Sequence, residues 1–360
     1  MIKFLQLTPG EDAAVVKEAI ARVVTRGWFI LGPELEAFEQ EFATACGGGH
    51  AVGVGTGTDA IAIALRAVGI GPGDEVITSP LSATFSALAI LMAGARPVFA
   101  DIDPERLTLD PRATEAAITS KTAAILPVHL YGQAADMAAF ANIAQRHGIA
   151  IVEDCCQAHL ATCAGKPVGS YGAAAAYSFY PTKNLGALGD GGAIVTRDAD
   201  VAARAARLRN GGQIGKYEHA EFGVNSRLDE MQAAILRARL TFLPKWTADR
   251  RRLGARYRAG LASAENIFVP PELDPGHVYH LFPVLSSARE ALRAHLAERG
   301  IETLIHYPIP IPHQRAMADQ CPAECSVATR VYREVLSLPL HPALDERSVD
   351  EVASAIAQSQ

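Results

Sequence analysis

One lysine, Lys183, stands in the stretch Tyr177-Ser-Phe-Tyr-Pro-Thr-Lys-Asn-Leu-Gly-Ala-Leu-Gly-Asp-Gly-Gly192, five residues after Ser178 and amid Gly186, Gly189, Gly191 and Gly192. Glycines let backbone approach a bound group closely and tolerate positive φ. An amine just beyond a buried strand can hold an aldehyde cofactor as a Schiff base; the same lysine would also suit a mobile surface turn. A second stretch, Val54-Gly-Thr-Gly-Thr-Asp-Ala-Ile61, passes from a strand into a helix through glycines and hydroxyls. Free N–H groups at a helix start favour a phosphate, although Thr58 or Asp59 could serve as a plain helix cap. Gly53, Gly55 and Gly57 give G-x-G-x-G, which lacks the spacing of a dinucleotide-binding turn. A third stretch, Ile149-Ala-Ile-Val-Glu-Asp-Cys-Cys-Gln-Ala-His159, ends a buried strand in Glu153-Asp154. Open α/β sheets bind ligands beyond the carboxyl ends of their strands. A carboxylate there needs a partner. A protonated pyridine nitrogen is one, and the start of the next helix is the other, with Asp154 as its cap. His159, on the same turn, could equally be a core histidine.

A phosphate nest, a carboxylate for a ring nitrogen and a lysine amine are the three handles of pyridoxal phosphate, and their joint occurrence is more specific than any one alone. The elements that must position them follow a regular rhythm. Apolar, β-branched runs recur near 51–54, 75–78, 97–100, 123–128, 149–153, 175–179 and 193–196. Helical patterns fill most gaps, at 58–69, 84–93, 112–119, 134–147 and 199–209. This alternation predicts an α/β fold with a seven-stranded, mostly parallel sheet flanked by helices. Two amphipathic helices, 11–25 and 33–46, precede it, the second with Pro33 in its first turn. A long helical tract runs from about Leu228 into the 250s and bends near Pro244. Beyond Gly260 the pattern predicts short strands at Tyr279–Leu285 and Glu302–His306, with helices at 288–299, 325–336 and 347–358. The division expected is a large α/β domain over residues 1–245, N-terminal helices included, and a smaller C-terminal α+β domain over 246–360.

With 360 residues, 49% of them hydrophobic and 20% charged, the chain can bury a sizeable core and is not disordered. The net charge of -6 and the absence of basic blocks argue against a nucleic-acid or polybasic membrane surface. No stretch reads as a signal peptide or a membrane span, so a cytoplasmic protein is expected. Six cysteines (46, 155, 156, 163, 321 and 325) form no disulfide framework. Cys321 and Cys325 could share a helix face but lack a second ligand pair, so no metal site is expected. Bystander thiols in a reducing compartment are the reading.

The chain resembles the DegT/DnrJ/EryC1/StrS family of sugar aminotransferases, fold-type-I pyridoxal-phosphate enzymes, over nearly its full length. The matching phrases begin with Gly32-Pro-Glu-Leu-Glu-Ala-Phe-Glu, Gly57-Thr-Asp-Ala, Gly71-Pro-Gly-Asp-Glu-Val-Ile and Gly94-Ala-Arg-Pro-Val-Phe-Ala-Asp-Ile-Asp. They continue with Glu153-Asp-Cys-Cys-Gln-Ala-His, Ser178-Phe-Tyr-Pro-Thr-Lys-Asn-Leu-Gly, Asp190-Gly-Gly, Gly223-Val-Asn-Ser-Arg-Leu-Asp-Glu-Met-Gln-Ala-Ala and His306-Tyr-Pro. The resemblance implies Lys183 as Schiff-base lysine and proton shuttle, Asp154 on the ring nitrogen and Gln157 on the ring hydroxyl. It implies Ser178, Thr58 and Asp59 on the phosphate, with Gly57 shaping the turn. Asn225 matches a residue that reaches the phosphate from a partner subunit, implying a homodimer with shared active sites.

The wording around Lys183 and Asn225 resembles the branch that aminates C3 of nucleotide-linked keto-deoxysugars, with glutamate as donor and pyridoxamine phosphate as the half-reaction form. A 4-keto sugar or a cyclitol is the alternative acceptor. A pyridoxamine-phosphate dehydratase, which carries histidine in place of the lysine, and a non-catalytic cofactor-binding regulator are the rival readings. Lys216, Tyr217, His219, Arg227 and His313 are candidates to meet the sugar nucleotide's diphosphate; each would also suit a plain surface position. Three features depart from the family pattern: Ala83 stands where an aromatic usually stacks on the cofactor, with Phe85 two residues on; Cys155, Cys156 and Leu160 replace small residues; and Ala173 replaces a common aspartate.

Overall fold

The structure, a computed structural model, describes residues 1–265, 267–317 and 323–359. In chain order the first five strands are β1 (His50–Val54), β2 (Glu75–Thr78), β3 (Arg96–Phe99), β4 (Thr122–Leu126) and β5 (Ala150–Asp154). A small hairpin of β6 (Thr162–Cys163) and β7 (Lys166–Pro167) precedes β8 (Ala174–Ser178) and β9 (Gly192–Thr196). Seven of these form one sheet in the order β1-β9-β8-β5-β4-β2-β3. Strands β3, β2, β4, β5 and β8 run parallel, while β9 is antiparallel to both β8 and β1. All seven expected strands are present, and the sheet is mostly parallel.

Side chains on a strand alternate faces, and both faces here are apolar. Ile77, Ile125, Ile151, Tyr177 and Val195 share one core with α2 (Pro33–Ala45) and α6 (Met137–His147). Their neighbours Val76, Ala124, Val152, Ala176 and Ile194 share the opposite core with α3 (Gly57–Ala67) and α7 (Ala199–Arg209). Coverage on both faces is what a parallel sheet requires. The connections are completed by α4 (Phe85–Met92) and α5 (Pro111–Ala116), and α1 (Ala13–Arg26) lies before α2. Among the described residues no helix is long and apolar enough to cross a membrane.

The helical tract after Asn225 is two helices, not one bent helix: α8 (Glu230–Leu240) and α9 (Leu243–Gly260). Pro244 lies in the first turn of α9, where its missing N–H has no helical partner to lose. Between α7 and α8 lies an exposed hairpin of β10 (Gln213–Gly215) and β11 (Glu218–His219). The C-terminal part contains β12 (Phe282–Leu285), α10 (Arg289–Glu298), α11 (Ser326–Glu334), β13 (Val335–Leu338) and α12 (Glu346–Ala357). Here the expectation needs correction. The partner of β12 is β13, whose first two residues fall within the helix expected over 325–336; the 302–306 strand is only a single bridge from Leu304 to Ser337. The N-terminus joins this part, with Ile2 bridging to Ile301.

Glu230 fixes how the N-terminal helices meet the sheet domain. It is fully buried, and its carboxylate accepts from the backbone N–H groups of Gly32 (3.0 Å), Glu34 (2.9 Å) and Leu35 (2.8 Å). These are the otherwise unpaired donors at the start of α2, whose N-cap, Gly32, has no side chain to offer. A negative charge there also meets the helix dipole favourably. Glu230→Ala should destabilise the protein by about 3 kcal/mol or more, because three buried donors lose their acceptor; chemical denaturation would measure the shift.

Candidate active site

A cleft of about 630 Å³ opens where β5, β8 and the start of α3 converge. Asp154 closes β5 at its carboxyl end and is almost fully buried. Its Oδ2 accepts from the Ser86 hydroxyl at 2.7 Å and its Oδ1 from the Cys156 N–H at 3.1 Å. Ser86, in the first turn of α4, lies 3.2 Å from Ser82. The two hydrogen bonds fix the carboxylate at the cleft wall, and no ion pair with it exists among the described residues. Among the described residues no helix lies between β5 and β6, so Asp154 caps none; its bond from Cys156 closes a turn.

Lys183 borders the same cleft and is partly exposed to it. The cleft walls strip water from its amine, which lowers its pKa; the fields of Cys156 and Asp154 offset part of that effect. The glycines after it act by close approach and not by positive φ, which none of the four adopts. A Cβ on Gly192 would lie 2.3 Å from the Thr56 carbonyl, so the first residue of β9 slides directly beneath the start of α3.

The start of α3 is capped by Thr56, whose Oγ1 accepts from the Asp59 N–H at 3.0 Å; neither expected residue, Thr58 nor Asp59, is the cap. Gly57 packs against the end of β8 so closely that a Cβ would meet Ser178 Cβ at 2.6 Å. Gly57, Thr58 and Ser178 all border the cleft. Asp59 does not. Its Oδ2 accepts from the Ser226 hydroxyl at 2.7 Å, and that hydroxyl accepts from Gly55 N–H at 2.9 Å, so Asp59 ties the segment before α8 to the start of α3.

Gln157 is oriented from two sides, its Oε1 accepting from Tyr131 N–H (2.8 Å) and its Nε2 donating to the Tyr307 hydroxyl (3.0 Å). Burial pushes Tyr307 up to about 12, so its hydroxyl keeps its proton near neutral pH. Phe85 projects from the start of α4 into the cleft and is 61% exposed; Ala83, which also borders it, offers no ring. His159 is a core histidine, packed against Tyr177 and Phe179, and burial followed by the Lys183 charge pulls it down to about 3.

The remaining expected contacts stand outside this chain's own cleft. Asn225 is exposed and its backbone bridges to Asn210, whose Oδ1 accepts from Arg227 Nη1 at 3.1 Å. Lys216, Tyr217 and His219 lie on the exposed β10–β11 hairpin, and His313 ends a short 3-10 turn on the surface. Cys46, Cys155, Cys156, Cys163 and Cys325 are free thiols; Cys321 lies outside the described residues.

Sequence reasoning missed His280. Asn184 Nδ2 donates to the Val278 carbonyl (3.0 Å), which turns its Oδ1 towards His280 Nδ1 (3.2 Å). An amide oxygen only accepts, so His280 carries its proton on Nδ1 and a lone pair on Nε2. Ser86 and His280 reach the cleft only through the fold, without a local signal. His306 and Tyr307 lay within a matching phrase but carried no assigned role.

His129, Glu153 and Cys155 cluster in the core, a geometry that could suggest a metal. His129 Nδ1 accepts from Ala135 N–H at 3.0 Å, so its Nε2 bears the proton and donates to Glu153 at 3.1 Å. Burial would raise Glu153, but His129 and the N–H groups of Gly169 and Gly172 outweigh it and hold the carboxyl below its usual range. Both histidine nitrogens are thus committed, and the cluster braces the end of β5.

A lysine amine and a buried carboxylate thus face one cleft, beside a glycine-started helix on a seven-stranded, mostly parallel sheet. The chain belongs to the DegT/DnrJ/EryC1/StrS aminotransferase family, which matches residues 11–357. It is 48% identical over 364 residues to dTDP-3-amino-3,4,6-trideoxy-alpha-D-glucose transaminase of Streptomyces venezuelae, covering 99% of this chain and 96% of that protein. It is 44% identical over 348 residues to a pleiotropic regulatory protein of Geobacillus stearothermophilus, covering 95% of this chain and 94% of that one. The crystal structure of S. venezuelae DesV in complex with a ketimine intermediate superposes with a TM-score of 0.96 at 48% identity, covering 99% and 98% of the two chains. The residues present fit the family's cofactor: the amine borders the cleft, the carboxylate is fixed in its wall, and the start of α3 at Gly57 and Thr58 reaches the cleft beside Ser178.

Because burial disfavours the ammonium form, the free amine of Lys183 should appear at lower pH than that of Lys245, which its hydrogen bond to Glu11 raises. Competitive acylation of the cofactor-free protein across a pH series, read by peptide mass spectrometry, should show Lys183 labelled first.

Proposed function

We propose that this enzyme transfers an amino group from glutamate to the C3 ketone of a nucleotide-linked keto-deoxysugar, using pyridoxal phosphate held at Lys183 and passing through its pyridoxamine phosphate form. The observation that carries the reading is the pairing of the Lys183 amine with the fixed Asp154 carboxylate across one cleft. The C3 position follows the similarity to the S. venezuelae 3-amino sugar transaminase. A cofactor-binding regulator would not require both groups, and a dehydratase of this family would carry histidine at position 183.

In this reading Lys183 holds the cofactor's aldehyde carbon and Asp154 keeps the proton on the ring nitrogen. Gln157, fixed by Tyr131 and Tyr307, faces the ring hydroxyl. Gly57, Thr58 and Ser178 receive the phosphate at the positive end of α3, and Phe85 supplies the aromatic face that Ala83 lacks. When bound, pyridoxal phosphate supplies an electron sink for the bond broken at the donor's α-carbon. Lys183 Nζ would take the proton from that carbon and deliver it to the carbon that had carried the aldehyde, a task that its lowered basicity suits. Ser86 holds Asp154 in place throughout.

The enzyme acts as a homodimer in this account. Trp28, Phe29, Tyr217 and Phe222 are large apolar side chains left 51–95% exposed, an area suited to a partner surface. Asn225 and the β10–β11 hairpin, with Lys216, Tyr217, His219 and Arg227, then serve the partner's cleft. A division near residue 245 accords with one core between α9, α12 and β12 and two others on the faces of the sheet. Free thiols accord with a reducing cytoplasm.

The test is a panel of nucleotide-linked keto sugars supplied with glutamate, read by mass spectrometry for ketone-to-amine conversion and by NMR for the carbon aminated. The wild-type protein should convert a 3-keto sugar. Lys183→Ala should convert none while unfolding at the same temperature as wild type; conversion by the variant would contradict the assignment.

A further inference from the structure

A second cavity, of about 340 Å³, adjoins the cleft and shares Leu5, Thr182 and Lys183 with it. Arg250, on α9, borders this cavity and is only 4% exposed. Its Nη1 donates to three carbonyls, those of Leu340 (2.9 Å), Tyr279 (3.1 Å) and His280 (3.3 Å). Its Nε has no acceptor among the described residues, and no carboxylate among them pairs with the guanidinium. Burial alone pulls it down to about 10, with no counter-charge opposing the shift.

The cavity's own acids are committed elsewhere. Asp12 Oδ2 accepts from Arg239 Nε at 2.7 Å, and Glu11 Oε1 accepts from Lys245 Nζ at 2.9 Å and Trp246 Nε1 at 2.8 Å. His341, also bordering the cavity and buried, has an Nδ1 without a partner among the described residues. A buried guanidinium lacking an anion is unfavourable, and an anion entering the cavity would relieve it. The planar fork of arginine suits a carboxylate in particular.

We propose that this cavity is a carboxylate subsite, in which a small dicarboxylate, the amino donor or the keto acid it leaves, sets its distal carboxylate against Arg250. The identity of the dicarboxylate as donor rests on amino transfer at Lys183, which borders both spaces. The subsite explains how one enzyme admits a compact acid and a bulky sugar nucleotide in turn: the acid's far end leaves the main cleft for the space around Arg250.

The probe is glutarate, which has two carboxylates but no amine or ketone and so binds without reacting. Calorimetric titration of the cofactor-loaded protein should show saturable binding, weakened at least about tenfold in Arg250→Lys, which keeps the charge but loses the fork. Leu7→Glu provides a second test that does not depend on the core, since Leu7 lines the cavity at an exposed position; its added carboxylate should weaken glutarate similarly without lowering the unfolding temperature. Failure of the wild type to bind glutarate, or unchanged affinity in Leu7→Glu, would overturn the subsite. Displacement of glutarate by phosphate or chloride at equal concentration would also overturn it, assigning the cavity to inorganic anions. Glutarate undergoes no amino transfer, so these outcomes are separate from failure of the sugar panel.

Discussion

A carboxylate held at the end of a buried strand, with hydroxyl and N–H donors but no cation to pair with, constrains everything around it. Asp154 is 3% exposed and receives hydrogen bonds from Ser86 and Cys156. Those donors orient it without neutralising it. An unpaired buried carboxylate is costly in a single-chain protein, and in the function proposed above its partner is a cationic ring nitrogen. The sheet topology supplies the depth: β5 is a central strand, flanked by β4 and β8, so its carboxyl end opens into a cleft and not onto a free edge.

Close packing of backbone then sets the distances. Gly57 and Gly192 bring the start of α3, the end of β8 and the start of β9 together with no side chain between them. Reversal of β9 against β8 returns the chain beside the segment that carries Lys183, so the amine and Asp154 face the same space. The polar braces lie one layer out. Ser226 ties Asp59 to Gly55, Glu230 holds the start of α2, and His129 with Glu153 secures the end of β5. Each is a buried hydrogen-bonded group acting on backbone, and none reaches the cleft.

Much of this was legible in the sequence. The seven sheet strands announce themselves because each is a short apolar run between helical patterns, and a strand buried on both faces needs no alternation to be recognised. Lys183 and Asp154 were legible because each directly follows or ends such a run. Less was legible where the partner lies far away in the chain. Val335-Leu-Ser-Leu338 continues the apolar pattern of α11, and only its pairing with Phe282–Leu285 makes it a strand. The Thr56 cap was missed because three hydroxyl or carboxylate residues within four positions could each have served. Ser86 and His280 gave no signal at all, since their roles come from contacts with Asp154 and Asn184, 68 and 96 residues distant respectively.

The central claim is that one amine in this cleft carries the aldehyde of pyridoxal phosphate opposite Asp154. Reduction of the cofactor-loaded protein with borohydride, followed by digestion and mass mapping, tests it most directly. The phosphopyridoxyl group should be found on the peptide containing Lys183. Its recovery on a different lysine, or the loss of all label on denaturation after reduction, would contradict the account.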